Sequence, residues 1–310
     1  RMCNTRWCFE LFLQEPECLD QWHANEEVAW LAFDEGSYVT NEGLEFQVGS
    51  SAAHGGSFEQ IRFHNSFNNG VTPVVLAHVQ TTHDPHWVKV RMRNSDRAGF
   101  EVALEQQGSN AVNGGGGGER HGTEMIGWVA FEPGHGHMGT IQFEAGNTEQ
   151  TVSEQPETVN FARPFNAAPR FFATIATHAG TDSSQLRQDN DNFESPITTT
   201  SATFYIEEET CVDDESEAGN GCIGDSEYIA GNGCHPNPER VSWLAMSPAN
   251  VQNGGHTVGF TGVSNGGDNL YMMARPQLQS LREIGEQGSA RINTGWRTVS
   301  LEGHYRNPVV

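Results

Sequence analysis

The stretch Ile126-Gly-Trp-Val-Ala-Phe131 decides how this chain is divided. It returns as Val28-Ala-Trp-Leu-Ala-Phe33 and as Val241-Ser-Trp-Leu-Ala-Met246, at intervals of about a hundred residues. Recurrence at that spacing makes the chain a tandem array of equivalent units. Ahead of each tryptophan lies a run that opens on phenylalanine: Phe9-Glu-Leu-Phe-Leu-Gln-Glu15, Phe100-Glu-Val-Ala-Leu-Glu-Gln-Gln107 and Phe204-Tyr-Ile-Glu-Glu-Glu209. Period-two alternation of this kind is the pattern of a half-buried strand. Further upstream a third phrase couples an aliphatic residue, two aromatic or apolar residues and a proline. It reads Ile61-Arg-Phe63, Phe67 and Pro73; Val159-Asn-Phe161, Phe165 and Pro169; and Val299-Ser-Leu301, Tyr305 and Pro308.

A full unit runs from the aromatic-proline phrase to the tryptophan phrase, which gives complete β-sandwich repeats at 58–135 and 158–248. Residues 1–35 carry only the end of a unit and residues 296–310 only the beginning of another, so the chain reads as a window on a longer array. The connecting segments are 36–57, 136–157 and 249–295. After each tryptophan phrase an alternating run recurs (Leu44–Val48, Ile141–Ala145, Val258–Gly262) and reads as a bridging strand between neighbouring sandwiches. In the longest connection, Pro276 to Gly285 has proline and glycine placed as helix punctuation and predicts a short helix.

The three phrases in this order resemble the H-type lectin domain, on the strength of Phe161-Ala-Arg-Pro-Phe165 through Pro169, Gly99-Phe100 and Val241-Ser-Trp243-Leu-Ala. The resemblance implies an all-β fold of tandem small antiparallel β-sandwiches, trimer-like assembly and carbohydrate binding. In that family an arginine precedes the glycine-phenylalanine pair and contacts the sugar. Arg91, eight residues before Gly99, takes its place, with Trp87 and Arg93 nearby. The family's tryptophan-histidine pair, seven and eight residues after the phenylalanine, is replaced by Gln107 and Gly108 in one unit and by Cys211 and Val212 in the other. The competing reading of Arg91 and Arg93 pairs them with acids on an exposed strand face. Thirty-five glycines and turn signals such as Asn69-Gly70 suit the same fold class independently.

Forty acidic residues stand against seventeen basic ones, with Lys89 the single lysine, for a net charge of −23. Phosphate backbones bind positive surfaces, which excludes nucleic acid as a partner. No apolar stretch is long enough to span a bilayer. Such an acidic surface suits a saline, extracellular or cell-surface setting, where counterions screen its self-repulsion. The six cysteines form two groups, Cys3, Cys8 and Cys18, then Cys211, Cys222 and Cys234. Their spacing lacks a Cys-x-x-Cys pair and reads as disulfides in a secreted-type protein.

Calcium is the cofactor the acidic loops suggest, and His135-Gly-His137 with His121 and His54, in glycine-rich connections, are the residues that could hold a transition metal. Asp189, Asp191 and Glu194 form one oxygen-rich cluster, and Asp213, Asp214 and Glu215 another, although neither follows the twelve-residue EF-hand pattern. Solvated acidic loops are the plainer account of both. No catalytic pattern recurs from unit to unit with the core phrases, so the expectation is not an enzyme. The expected function is a structural or adhesive segment of an extracellular filament, sheath or appendage that associates with copies of itself or adjacent repeats. A multivalent lectin that binds glycans is the alternative.

Overall fold

The computed structural model of the chain describes residues 8–15, 20, 22–68, 70–106, 120–180, 183–188, 196–208, 237–248, 260–264, 282–301 and 308–310. Among them there is no helix, and every sheet is antiparallel. The chain opens with β1 (Cys8–Leu11) and β2 (Glu26–Asp34), the second carrying Trp30. A hairpin follows, β3 (Gly36–Val39) and β4 (Glu45–Ala53). The next unit supplies β5 (Glu59–Arg62), β6 (Val74–Val79), β7 (Val88–Asp96), β8 (Gly99–Gln106) and β9 (Glu124–Phe131). A second hairpin, β10 (Gly134–Met138) and β11 (Ile141–Asn147), precedes β12 (Glu157–Asn160), β13 (Arg170–Ile175), β14 (Ser184–Arg187), β15 (Ser201–Glu208) and β16 (Val241–Met246). The last strands are β17 (Phe260–Ser264), β18 (Arg282–Ile292), β19 (Arg297–Ser300) and β20 (Pro308–Val309).

These strands build β-sandwiches of one design. In the second sandwich the layer β5-β8-β7 packs on β4-β9-β6, and in the third β12-β15-β14 packs on β11-β16-β13. Each has its own core around a tryptophan. Phe63 and Phe67 meet edge to face at 5.3 Å in one, Phe161 and Phe165 at 5.1 Å in the other, and Trp128 and Trp243 lie 5.6 and 5.9 Å from the first ring of each pair. Offset and edge-to-face rings at such distances are the favoured aromatic geometry. The residue opposite each tryptophan on the neighbouring strand is glycine: Gly49 faces Trp128 and Gly146 faces Trp243. A Cβ built on either glycine would sit within 3.0 Å of the indole, so the ring lies directly on backbone that a side chain would occupy.

The two partial units complete one another. β1 pairs with β19, while β2 is flanked by β18 on one edge and β20 on the other, which makes a split first sandwich from the two ends of the chain. Its core joins Phe9, Trp30, Ala32, Val299 and Leu301. Gly288 lies opposite Trp30 with the same close approach as Gly49 and Gly146. β4, β11 and β18 are therefore equivalent, each the partner of the tryptophan strand of its own sandwich.

This assignment corrects two expectations. The strands read as bridges at 44–48 and 141–145 belong to the sandwich that follows, and the third of the series is β18, whereas β17 corresponds to β3 and β10 as the outer hairpin strand. The expected helix at 276–285 does not hold over residues 282–285, which are extended in β18; residues 276–281 lie outside the described residues. Cross-strand pairing with β17 and then with β2 overrides the local helix preference of a glutamate- and glutamine-rich run.

The tryptophan strands also share a fourth, central core. Alternate residues on each strand point the other way, so Phe33, Val129, Phe131, Leu244 and Met246 meet Phe46, Phe143 and Val309 between the sandwiches. Both faces being buried explains why the tryptophan phrases are almost continuously apolar. Pairing of β17 with β3 then runs the first and second sandwiches into one eight-stranded sheet. No described helix is long and apolar enough to cross a membrane. Substituting Gly49→Ala, Gly146→Ala or Gly288→Ala forces the indole off its partner strand; each should cost about 1–3 kcal/mol in denaturant unfolding, the magnitude of overpacking, and three similar losses would confirm equivalent environments.

Candidate functional site at the junction of the second and third sandwiches

Arg91 lies on β7, whose alternation would be expected to send it to solvent. Instead it is 1 % exposed, because the loop after β13 of the third sandwich closes over it. The guanidinium donates to Ser184 Oγ at 2.8 Å and to the Gly180 carbonyl at 3.3 Å, and it approaches the carboxylates of Glu239 at 3.5 Å and Glu105 at 3.6 Å. Lys89 completes the set with an ion pair to Glu105 at 2.8 Å and a bond to the Ser184 carbonyl. A rigid planar fork with several donors suits this convergence of oxygens from two units.

Glu239 is fully buried and organises the loop that covers Arg91. It accepts from the Thr177 hydroxyl, the Ala179 amide at 2.9 Å and the Gly180 amide at 3.2 Å, while Thr177 accepts from the Arg240 amide at 2.8 Å. Glu124 does the same in the second sandwich. It is fully buried and accepts from the Thr81 hydroxyl and from the amides of His83 at 2.7 Å and Asp84 at 2.8 Å, with the Met125 amide on Thr81 at 2.7 Å. A buried carboxylate needs such donors to offset desolvation. The signal was present in the sequence: Glu26, Glu124 and Glu239 each stand four residues before a tryptophan. In the same loop burial acts to raise the Asp84 carboxyl, but bonds from the Gly122 and His86 amides and the His86 ring, with the charge of His121, outweigh it and bring its pKa down to about 2.

Beside Arg91 the junction is aromatic. The Arg93 guanidinium stacks 3.8 Å over the Phe58 ring and pairs with Glu101 at 2.7 Å, while His178 from the third sandwich meets Phe58 edge-on at 5.2 Å. Burial holds the His178 imidazole below its ordinary pKa, and the positive charges of Arg91 and Arg93 act in the same direction against the opposing pull of Glu105 and Glu239.

The structure thus brings the three sugar-binding candidates to one region. Arg91 is enclosed by protein groups, Trp87 is buried with the Lys89 ammonium 5.4 Å from its ring, and Arg93 pairs with an acid across the strands, as the competing reading expected. The position matching Arg91 in the third sandwich is Arg187, which pairs with Glu207 as Arg91 does with Glu105 but is 47 % exposed. The calcium candidates Asp189, Asp191, Glu194, Asp213, Asp214 and Glu215 lie outside the described residues, as do Cys3, Cys18, Cys211, Cys222 and Cys234. Cys8 is disulfide-bonded. Among the described residues no three His, Cys, Asp or Glu side chains converge as a metal site requires; His137 and His54 instead pair with Glu42 and Glu59.

No family model matches the chain, and no solved structure matches it. A stretch of 184 residues, 59 % of the chain, is 29 % identical to halomucin of Haloquadratum walsbyi. The match covers 2 % of the length of that protein.

Truncating Arg91→Ala takes the guanidinium away from two buried carboxylates, leaving Glu105 to Lys89 and Glu239 to its loop donors, and should cost about 3–5 kcal/mol, whereas Arg187→Ala, on an exposed pair, should cost less than about 1 kcal/mol; urea titrations of the two variants compare them directly. For His178 the sign follows from its lowered pKa. The unfolded chain takes up the proton first, so the junction contributes fully above the ordinary imidazole value and loses stability as pH falls below it. Melting curves from about pH 8 to about pH 5 should therefore fall more steeply for the native chain than for His178→Gln.

Proposed function

We propose that this chain is a non-enzymatic structural or adhesive segment of an extracellular or cell-surface protein, built from H-type-lectin-like sandwiches. The observation that carries the reading is Arg91. At the position the resemblance gives to sugar recognition, its donors are directed to Ser184, Gly180 and Glu239 of the next sandwich, so the position serves cohesion between units. The shared central core adds to this: three tryptophan strands give one face to their own sandwich and the other to a common interior. Such a block is stiff, and copies in series make a solid, extended covering in place of a flexible string.

Charge and likeness support the setting. A net charge of −23 with one lysine favours solubility at high ionic strength, where screening removes much of the self-repulsion. The matched protein is named halomucin, which agrees with a place at or outside the cell surface. The carbohydrate-binding alternative keeps one specific point in its favour: Arg187, the exposed counterpart of Arg91, leaves a guanidinium accessible on β14.

The test joins two measurements. Glycan arrays probed with the labelled chain at high salt should show no saturable binding, while electron microscopy of native material should show regular, extended assemblies. Saturable binding to a defined sugar that is lost in Arg187→Ala would replace the structural reading with the lectin.

A further inference from the structure

The third sandwich enters β15 through a tight turn. Thr198 and Ser201 close it, the Thr198 amide donating to the Ser201 carbonyl at 2.9 Å, and the Ile197 to Ala202 bridge and a bond from the Thr203 amide to the Pro196 carbonyl at 2.7 Å carry the pairing outward. Thr199 and Thr200 are the corner residues. The second sandwich has the same turn at Asp96-Arg97-Ala98-Gly99, where Asp96 stands opposite Gly99. There the Phe67 and Phe63 amides donate to the carbonyls of Arg97 and Ala98, as the Phe165 and Phe161 amides donate to those of Thr199 and Thr200.

Each turn is held by its first side chain. Asp96 Oδ1 accepts from the Ala98 and Gly99 amides at 2.7 and 3.1 Å, and Thr198 Oγ1 accepts from the Thr200 and Ser201 amides at 3.1 and 3.0 Å. Short oxygen-bearing side chains fix turns in this way. The corner side chains have no comparable task in the third sandwich. Where Arg97 Nε donates to the Phe67 carbonyl at 3.1 Å, the Thr199 hydroxyl makes no hydrogen bond among the described residues, and the Thr200 hydroxyl meets only Thr198 Oγ1, at 3.3 Å. Thr199 and Thr200 are exposed, while Thr198 and Ser201 are half-buried. The turn therefore holds two neighbouring hydroxyls out to solvent on a fixed backbone, and the fold needs neither.

We propose that Thr199 and Thr200 are acceptor sites for O-linked sugar. The proposal rests on the extracellular setting of the structural reading and not on the cohesion of the sandwiches. The sequence has no Asn-x-Ser/Thr acceptor, so the hydroxyls are the route by which sugar reaches this chain. In the transfer, the threonine Oγ1 bonds to the anomeric carbon of a sugar activated as a nucleotide or lipid phosphate. The bond from that carbon to the phosphate oxygen breaks, the phosphate leaves with the electron pair, and the hydroxyl proton passes to a base of the transferase. A transferase can reach both oxygens without opening β15, since they stand at an exposed tip. Sugar is neutral and hydrated, whereas phosphate would add to a net charge of −23.

Cleavage after Arg187 and Arg240 releases the turn in one peptide, because no lysine or arginine lies between them. Electron-transfer fragmentation of that peptide, taken from the cells that make the protein, should place sugar residues on Thr199, Thr200 or both and leave Thr198 bare. In the same cells the double variant Thr199→Val, Thr200→Val should fold to the same strand content by circular dichroism and lose all sugar from the turn. Bare threonines, phosphate in place of sugar, or sugar on Thr198 alone overturn the proposal. A chain recovered from outside the cell with a bare turn overturns it and leaves the structural reading standing; a chain confined to the cell interior overturns both.

Discussion

A strand that must bury both of its faces sets the terms for everything else in this molecule. β2, β9 and β16 each turn a tryptophan inward to one sandwich and a phenylalanine or methionine outward to the common interior. Neither face tolerates a polar residue at those positions, and neither sandwich can move without disturbing the centre. The tryptophan in turn requires a glycine on the strand beside it, because the indole lies on the backbone itself. Strand, ring and glycine form one geometric unit, repeated around the core.

Charge is handled by a different rule. On the surface the acids are free to repel one another through water and salt, but Glu124 and Glu239 are dry, and each is surrounded by a threonine hydroxyl and loop amides. These loops then serve as contacts for the next unit. Arg91 reaches across to one, and Gln14 of the first sandwich donates to Pro85 in the other at 3.0 Å. The same local device therefore holds a loop and joins two units. A carboxylate that costs much to desolvate becomes favourable when several donors and a guanidinium share it.

How much of this was legible depends on the range of the interaction. The strands around Trp30, Trp128 and Trp243 were readable because both faces are apolar and the phrases recur. The all-β class followed from alternation and turns. β18 was hidden: where β4 and β11 carry Phe46 and Phe143, β18 has Gly285, and its neighbours Glu286 and Gln287 favour helix in isolation. Only the pairing of Gly288 with Trp30 identifies it, and that partner is near the other end of the chain. Arg91 showed the matching limit. Its residue type and strand position were correct, but a single unit cannot reveal that the neighbouring unit covers it. Glu124 and Glu239 were missed for a simpler reason: an acid four residues before a tryptophan has meaning only once a threonine loop is known to wrap it.

The split sandwich has a consequence for how the chain comes to its final shape. β2 must wait for β18, which lies some 250 residues later, so at ordinary rates of translation the partner strand follows after roughly 12–50 s. The second and third sandwiches can collapse locally in that interval, whereas Phe9 and Trp30 have each other but wait for Val299 and Gly288, the residues opposite them in the sheet. Closure over so long a loop adds only slowly to the entropic penalty, but it ranks the first sandwich last in order of assembly. During that delay the acids at the two ends of β2, Glu26, Glu27 and Asp34, put like charges where an identical unpaired strand would align, which disfavours edge-to-edge association.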